Sequence, residues 1–129
     1  MSGNLLDTNA AIFALTFPER LSTTARNAIL RGPNVLSVVS YWEVMLKSMK
    51  GSLEVGDLRN WWPDALTMLA ATPLLLRPEH IAGVLPLPLH HKDPFDRILI
   101  AQAMTENLAL VTSDKDMVLY ASGELAIIR

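Results

Sequence analysis

Short runs of consecutive apolar residues alternate along the chain with longer stretches whose apolar positions recur at helical spacing. Residues 3–7 (Gly-Asn-Leu-Leu-Asp) read as a short buried strand, and Thr8–Leu15 as a helix that Pro18 closes. From Leu21 to Arg31 the apolar set Leu21, Ala25, Ala28 and Ile29 follows a Ser22/Thr23 start and stops at Gly32-Pro33, which predicts a second helix. Val35–Val39 is the next strand. Ser40–Lys50 reads as a helix ended by Gly51, and Leu58–Ala70 as another with Pro63 in its first turn. A third strand over Thr72–Leu76 and a short helix over Pro78–Val84 lead into Pro86-Leu87-Pro88-Leu89-His90-His91, where two prolines force a loop. Pro94–Asn107 carries apolar stripes at helical spacing. Leu108–Thr112 is a buried strand, Lys115–Tyr120 a short helix and Leu125–Ile128 a last strand.

Continuous apolar strands alternating with helices imply a mostly parallel sheet covered on both faces, hence a three-layer α/β/α architecture. With 129 residues, half of them apolar, the chain suits one domain over residues 1–129. The absence of cysteine excludes a disulfide framework and thiolate metal sites, and fits a reducing, cytoplasmic setting. Met1-Ser2-Gly3-Asn4 does not lead into a signal-peptide core. The most apolar region, Ala65–Leu76, is interrupted by Thr67, Thr72 and Pro73, so a soluble protein without a membrane span is expected. A formal charge of −2 argues against bulk electrostatic binding of nucleic acid, unless the acids are gathered where they bind cations.

Four acids occupy equivalent places: Asp7 after the first strand, Glu43 just inside the helix after the second, Asp96 at the start of the long helix, and Asp114 after the strand that succeeds it. Strand-to-helix junctions of a parallel sheet share one edge, so these acids should converge. Carboxylates held close together repel and raise one another's pKa, and such a cluster suits a hard divalent cation, Mg2+ or Mn2+. The same junctions are where helix caps belong. Ser40-x-x-Glu43 has the spacing of a capping box, Asp93-Pro94-Phe95-Asp96 orders an N-cap, a first-turn proline and an N3 carboxylate, and Asp7 or Asp114 would cap the helix after it. The two readings can coexist. Caps alone would be served by Ser or Thr, and acids at all four junctions favour the metal.

The segments LLDTN, SYWEVMLKSMKGSL, HKDPFDRILIAQA and LVTSDKDM, in this order and spacing, resemble the PIN-domain ribonucleases, especially the VapC-type toxins of bacterial toxin-antitoxin pairs. The resemblance spans nearly the whole chain and implies a PIN-like α/β/α fold. It places the acidic site on Asp7, Glu43, Asp96 and Asp114, with Asp7 and Asp96 as direct metal ligands and Glu43 and Asp114 as further or water-mediated ones. It implies an Mg2+- or Mn2+-dependent endoribonuclease whose attacking group is water, leaving 5'-phosphate and 3'-hydroxyl ends. It also implies a homodimer and a cognate antitoxin partner. Where many relatives have histidine this chain has Asn9, a departure at the pocket rim that bears on substrate choice.

Several neighbours carry weaker signals. Thr8 and Arg97 are possible substrate contacts. Asp116 is an alternative fourth acid, although an exposed first-turn acid is its simpler reading. Asp93 reads as an N-cap. Lys47, four residues after Glu43, reads as a helical ion pair. His90 and His91 lack the spacing of a helical zinc pair and have no evident third ligand, so they read as loop residues. Trp61 and Trp62, near Leu58, Leu66 and Leu69, read as core, dimer or antitoxin contacts in preference to base-stacking groups. A phospho-receiver domain would need a phosphorylatable aspartate ending a middle strand, where Leu74-Leu75-Leu76 is followed by Arg77-Pro78. A haloacid-dehalogenase-like phosphatase would need a second aspartate after Asp7. The remaining rival is a catalytically weak PIN-like module that binds nucleic acid or protein.

Overall fold

The computed structural model describes residues 2–129; Met1, the first residue of the stretch considered for a leader, lies outside them. Five strands, β1 (Asn4–Leu6), β2 (Asn34–Ser37), β3 (Ala71–Leu74), β4 (Ala109–Val111) and β5 (Ile127–Ile128), form one sheet in the order β3-β2-β1-β4-β5. All four neighbouring pairs are parallel. Side chains alternate between faces along each strand, so consecutive apolar residues feed two cores. Leu6, Leu36 and Val111 pack on one face, and Leu5, Val35 and Leu110 on the other. This is why the strands read as continuous apolar runs.

The helices are α1 (Thr8–Thr16), α2 (Thr23–Arg31), α3 (Val38–Met49), α4 (Leu58–Met68), α5 (Pro78–Ala82) and α6 (Pro94–Glu106), with 3-10 turns at 18–20 and 115–120. Residues of α1, α2 and α4 pack with Leu6, and Leu99, Ile100 and Ala103 of α6 with Leu5, so the sheet is covered on both sides as expected. Asn107 ends α6 in the left-handed conformation (φ 56°), a geometry asparagine tolerates. Pro73 lies within β3, an edge strand, where its missing N–H can face away from the ladder. No helix among the described residues is long and apolar enough to cross a membrane.

Two local expectations are corrected. The helix after β2 begins at Val38 because Ser37 caps it, its hydroxyl accepting from the Val39 N–H at 3.0 Å. Ser40 and Glu43 therefore sit inside the helix and form no capping box. Likewise Pro63 is the sixth residue of α4, not in its first turn, because Asp57 is the cap and accepts from the Arg59 N–H at 2.9 Å.

Candidate metal centre

Strand order reverses at β1: β2 and β3 lie to one side of it, β4 and β5 to the other. In open parallel sheets, the crevice beyond the strand ends at such a point is where ligands bind. Asp7 leaves β1 there, with its N–H donating to the Val111 carbonyl at 2.9 Å, and Thr112 leaves β4 beside it.

The two oxygens of Asp7 have different tasks. Oδ1 caps α1 by accepting from the Ala10 N–H at 2.7 Å, and Oδ2 accepts from the Thr112 hydroxyl. Asp114 divides in the same way: Oδ1 accepts from the Asp116 N–H at 2.8 Å, while Oδ2 stands 3.1 Å from His91 Nε2. Capping and site-building thus coexist in single carboxylates. Thr112 joins the pair, because its oxygen also accepts from the Asp114 N–H at 3.0 Å. Asp96 is the third residue of α6, behind the Asp93 cap, and its Oδ2 is 3.2 Å from His91 Nε2. Donor atoms of His91, Asp96 and Asp114 all lie within 4.8 Å of one another. Asp116 is exposed, with its N–H spent on Asp114.

Glu43 reaches in from the second turn of α3. It is buried, with Oε2 paired to Lys47 Nζ at 3.0 Å and Oε1 without any hydrogen-bond partner. Burial first, and then the charges of Glu43 and Asp114, push Asp7 up to about 6, against the Thr112 and Ala10 hydrogen bonds. Asp96 is pushed up to about 7 by burial, followed by the charges of Asp93, Asp7 and Glu43. Asp7 and Asp96 thus ionise against burial and the field of the neighbouring acids.

This donor set fits a hard divalent cation. A buried carboxylate oxygen with no partner is a rare and destabilising feature. Glu43 Oε1 is such an atom, and it belongs to an acid whose charge both Asp7 and Asp96 feel. A cation would satisfy the lone pair and cancel the repulsion together.

His91 is the residue that sequence reasoning placed elsewhere. Read as a loop histidine without further ligands, it stands between two of the four acids. Burial lowers its pKa, but the Asp114 hydrogen bond and the charges of Asp96, Asp114 and Asp93 outweigh that and raise it. Its Nδ1 accepts the Asp93 N–H at 3.1 Å, which leaves the proton of the neutral ring on Nε2, facing the carboxylates. In this conformation His91 is a donor to the acids. The missed signal was its place two residues before the Asp93 cap.

Two possible substrate contacts are also held by contacts within the fold. Thr8 is buried, and its hydroxyl donates to Ser40 Oγ at 2.9 Å, tying α1 to α3. The Arg97 guanidinium donates to the carbonyls of Val84, Leu87, Pro88 and His91 and to the Tyr120 hydroxyl. That hydroxyl also accepts from the backbone N–H groups of His90 and His91. Arg97 and Tyr120 therefore hold the proline loop that presents His91. Trp61 is buried, and Tyr41 stacks against both Trp61 and Trp62, in keeping with a core reading.

A family model described as PIN domain matches residues 5–122. No curated protein sequence matches significantly. Among solved structures, VapBC2 from Rickettsia felis bound to a DNA fragment from its promoter aligns with TM-score 0.70 at 14% identity, covering 98% of this chain and 97% of that one. FitAcB from Neisseria gonorrhoeae aligns with TM-score 0.67 at 21% identity, over 98% and 96%. A toxin-antitoxin complex from Klebsiella pneumoniae aligns with TM-score 0.64 at 21% identity, over 95% of each chain. At these identities the likeness is one of fold.

Proposed function

Because the chain belongs to the PIN-domain family, we propose that it is a metal-dependent endoribonuclease and the toxin of a toxin-antitoxin pair. The observation that carries this reading is the convergence of Asp7, Glu43, Asp96 and Asp114 with no Lys or Arg paired to the aspartates and with Glu43 Oε1 unpartnered, among the described residues. Asp7 and Asp96 are the direct ligands of Mg2+ or Mn2+; Glu43 and Asp114 are further ligands, bound directly or through water. A cation held there supplies Lewis acidity towards a phosphate oxygen and lowers the pKa of a nearby water.

The remaining work falls to the chain itself. Thr112 fixes the Asp7 carboxylate and the Asp114 backbone, and His91 Nε2–H keeps Asp96 and Asp114 facing each other. Lys47 restrains one Glu43 oxygen and leaves the other for the cation. Asp114, the more open of these acids, is suited to orient the attacking water. Its side chain is 33% exposed.

The neighbouring structures include toxin-antitoxin complexes, which supports an antitoxin partner here. An exposed apolar strip of Ile81, Leu85 and Leu89 provides surface that a partner or a second copy would cover.

The test is to incubate partner-free protein with a pool of structured RNAs, with Mg2+ or Mn2+ against EDTA, beside Asp7→Asn and Asp96→Asn, and to map product ends. Metal-dependent cuts leaving 5'-phosphate, lost in both variants while they stay folded, are expected. Cleavage surviving both changes, or no cleavage by the metal-loaded protein, would sink the proposal.

A further inference from the structure

A cleft of about 440 Å3 opens beside the acidic centre and shares Glu43 with it. One wall is a single face of α3 continued into its C-cap, where Glu43, Leu46, Lys47 and Lys50 follow one another at helical spacing. The other is the start of α6 with the residue before its cap: Lys92, Asp93 and Phe95. Three of the four lysines in the chain line this one cleft. Lys47 is taken up by Glu43, but Lys50 and Lys92 are exposed and in no ion pair among the described residues. Behind the lining residue Phe95, the Trp42 ring is 55% exposed and meets the Phe95 ring edge to face, with centroids 5.1 Å apart. Trp61, by contrast, is buried in the core.

Free ammonium groups beside an exposed aromatic face are the two components of a single-strand binding surface, one for phosphates and one for a base. A duplex would keep its bases stacked inside and make no use of the indole. The position is also informative. A polymer whose phosphate is cut at the acidic centre must continue through an opening next to it, and this cleft begins at one of the four acids. Resting on the nuclease reading, we propose that the cleft seats the single-stranded RNA flanking the cut, with phosphates on Lys50 and Lys92 and one base on Trp42.

The experiment separates binding from turnover. A fluorescein-labelled 12-nucleotide single strand and the matching RNA duplex are titrated by anisotropy, with Mg2+ present, into full-length protein carrying Asp7→Asn to suppress cleavage. Lys50→Ala with Lys92→Ala is expected to flatten the dependence of log Kd on log salt by about 1.4, at roughly 0.7 per single-strand phosphate contact. Trp42→Ala is expected to weaken single-strand binding by about 5- to 160-fold, the range for loss of one aromatic stack, with Trp42→Phe retaining most of the affinity. Duplex binding should respond less to Trp42→Ala. All three side chains are exposed, so the variants should fold as the parent does. Unchanged single-strand affinity and salt slope in the variants, equal loss for the duplex, or no single-strand binding by the parent would each overturn the proposal, as would loss of self-association or of partner binding with RNA affinity intact. If the chain with Asp7 restored still cuts RNA while the variants bind normally, the cleft assignment falls and the nuclease reading stands.

Discussion

Two histidines of this protein have nearly the same local geometry and opposite electrostatic company. His80, on α5, accepts the Arg77 N–H at Nδ1 (3.0 Å) and turns Nε2 to Glu106 (2.8 Å). His91 accepts the Asp93 N–H at Nδ1 (3.1 Å) and turns Nε2 to Asp96 and Asp114 (3.2 and 3.1 Å). At the first place the Arg77 guanidinium also pairs with Glu106, and the carboxylate is held below its usual range, chiefly by the His80 hydrogen bond. At the second, one imidazole serves two acids with Asp93, Asp7 and Glu43 nearby, and Asp96 is pushed up to about 7. A carboxylate whose charge is balanced fastens α5 to α6. One whose charge is left unbalanced among others marks a place for a ligand, because an added cation relieves it without a proton.

The contrast is broken most sharply by removing a charge from the unbalanced side. Asp7→Asn or Asp96→Asn should lower cleavage roughly 10^2- to 10^4-fold, the scale of several kcal/mol of charge stabilisation. The same variants should be no less stable than the parent in EDTA at pH 8. Cleavage assays beside thermal melts check both halves, and a strongly destabilised Asp96→Asn would mean that its charge is balanced after all.

The second expected effect is on pH. Asp7 (about 6) and Asp96 (about 7) hold protons more tightly in the fold than at their ordinary value of 3.8. Their contribution to metal-free stability is therefore complete below about pH 4 and is lost as pH rises through 6 and 7, at about 1.4 kcal/mol for each tenfold difference in proton affinity between folded and unfolded chain. In EDTA the melting temperature should fall from pH 5 to pH 8 more in the parent than in the doubly substituted Asp7→Asn, Asp96→Asn protein. Mn2+ should raise it more at pH 8 than at pH 5. Equal pH profiles for the two proteins would contradict the assignment.

The histidines should then separate by kind of damage. His80→Ala removes a buried partner of Glu106 and should destabilise by about 2–4 kcal/mol with activity per folded molecule preserved. His91→Ala should change stability little and weaken Mn2+ binding by about 10- to 100-fold, as loss of a group that orients metal ligands does. Urea melts and calorimetric Mn2+ titration distinguish them; the same profile for both would erase the distinction. The smallest effect belongs to Arg97→Ala, which frees the loop but leaves the acids in place. A loss of about tenfold or less in Mn2+ affinity is expected, at or below the lower end of the range for groups that orient metal ligands.

Much of this was legible in the chain. Paired apolar residues such as Leu5-Leu6 and Leu110-Val111 announced strands buried on both faces, and Asp7, Asp93 and Asp114 announced helix starts that the structure contains. One misreading was of a cap: Ser40 was read as starting a capping box, but Ser37 at the strand end caps the helix, which turned Glu43 from a cap into a side chain aimed from within α3. The partners of Thr8 and Arg97 within the fold, Ser40 and the carbonyls of residues 84–91, lay too far along the chain to be foreseen.

Taken alone, the sequence determined the features that depend on near neighbours: the period of its apolar positions, its caps, and the presence of an acid at each of four strand-to-helix junctions. Which oxygen caps and which faces the crevice, that His91 joins Asp96 to Asp114, that Thr112 binds Asp7, and that Lys47 and Lys50 share a cleft with Lys92 were decided by the strand order β3-β2-β1-β4-β5. Periodicity and capping act within a turn or two of helix. The side chains that share this site are brought together only when β4 pairs with β1 and the two buried faces close around them.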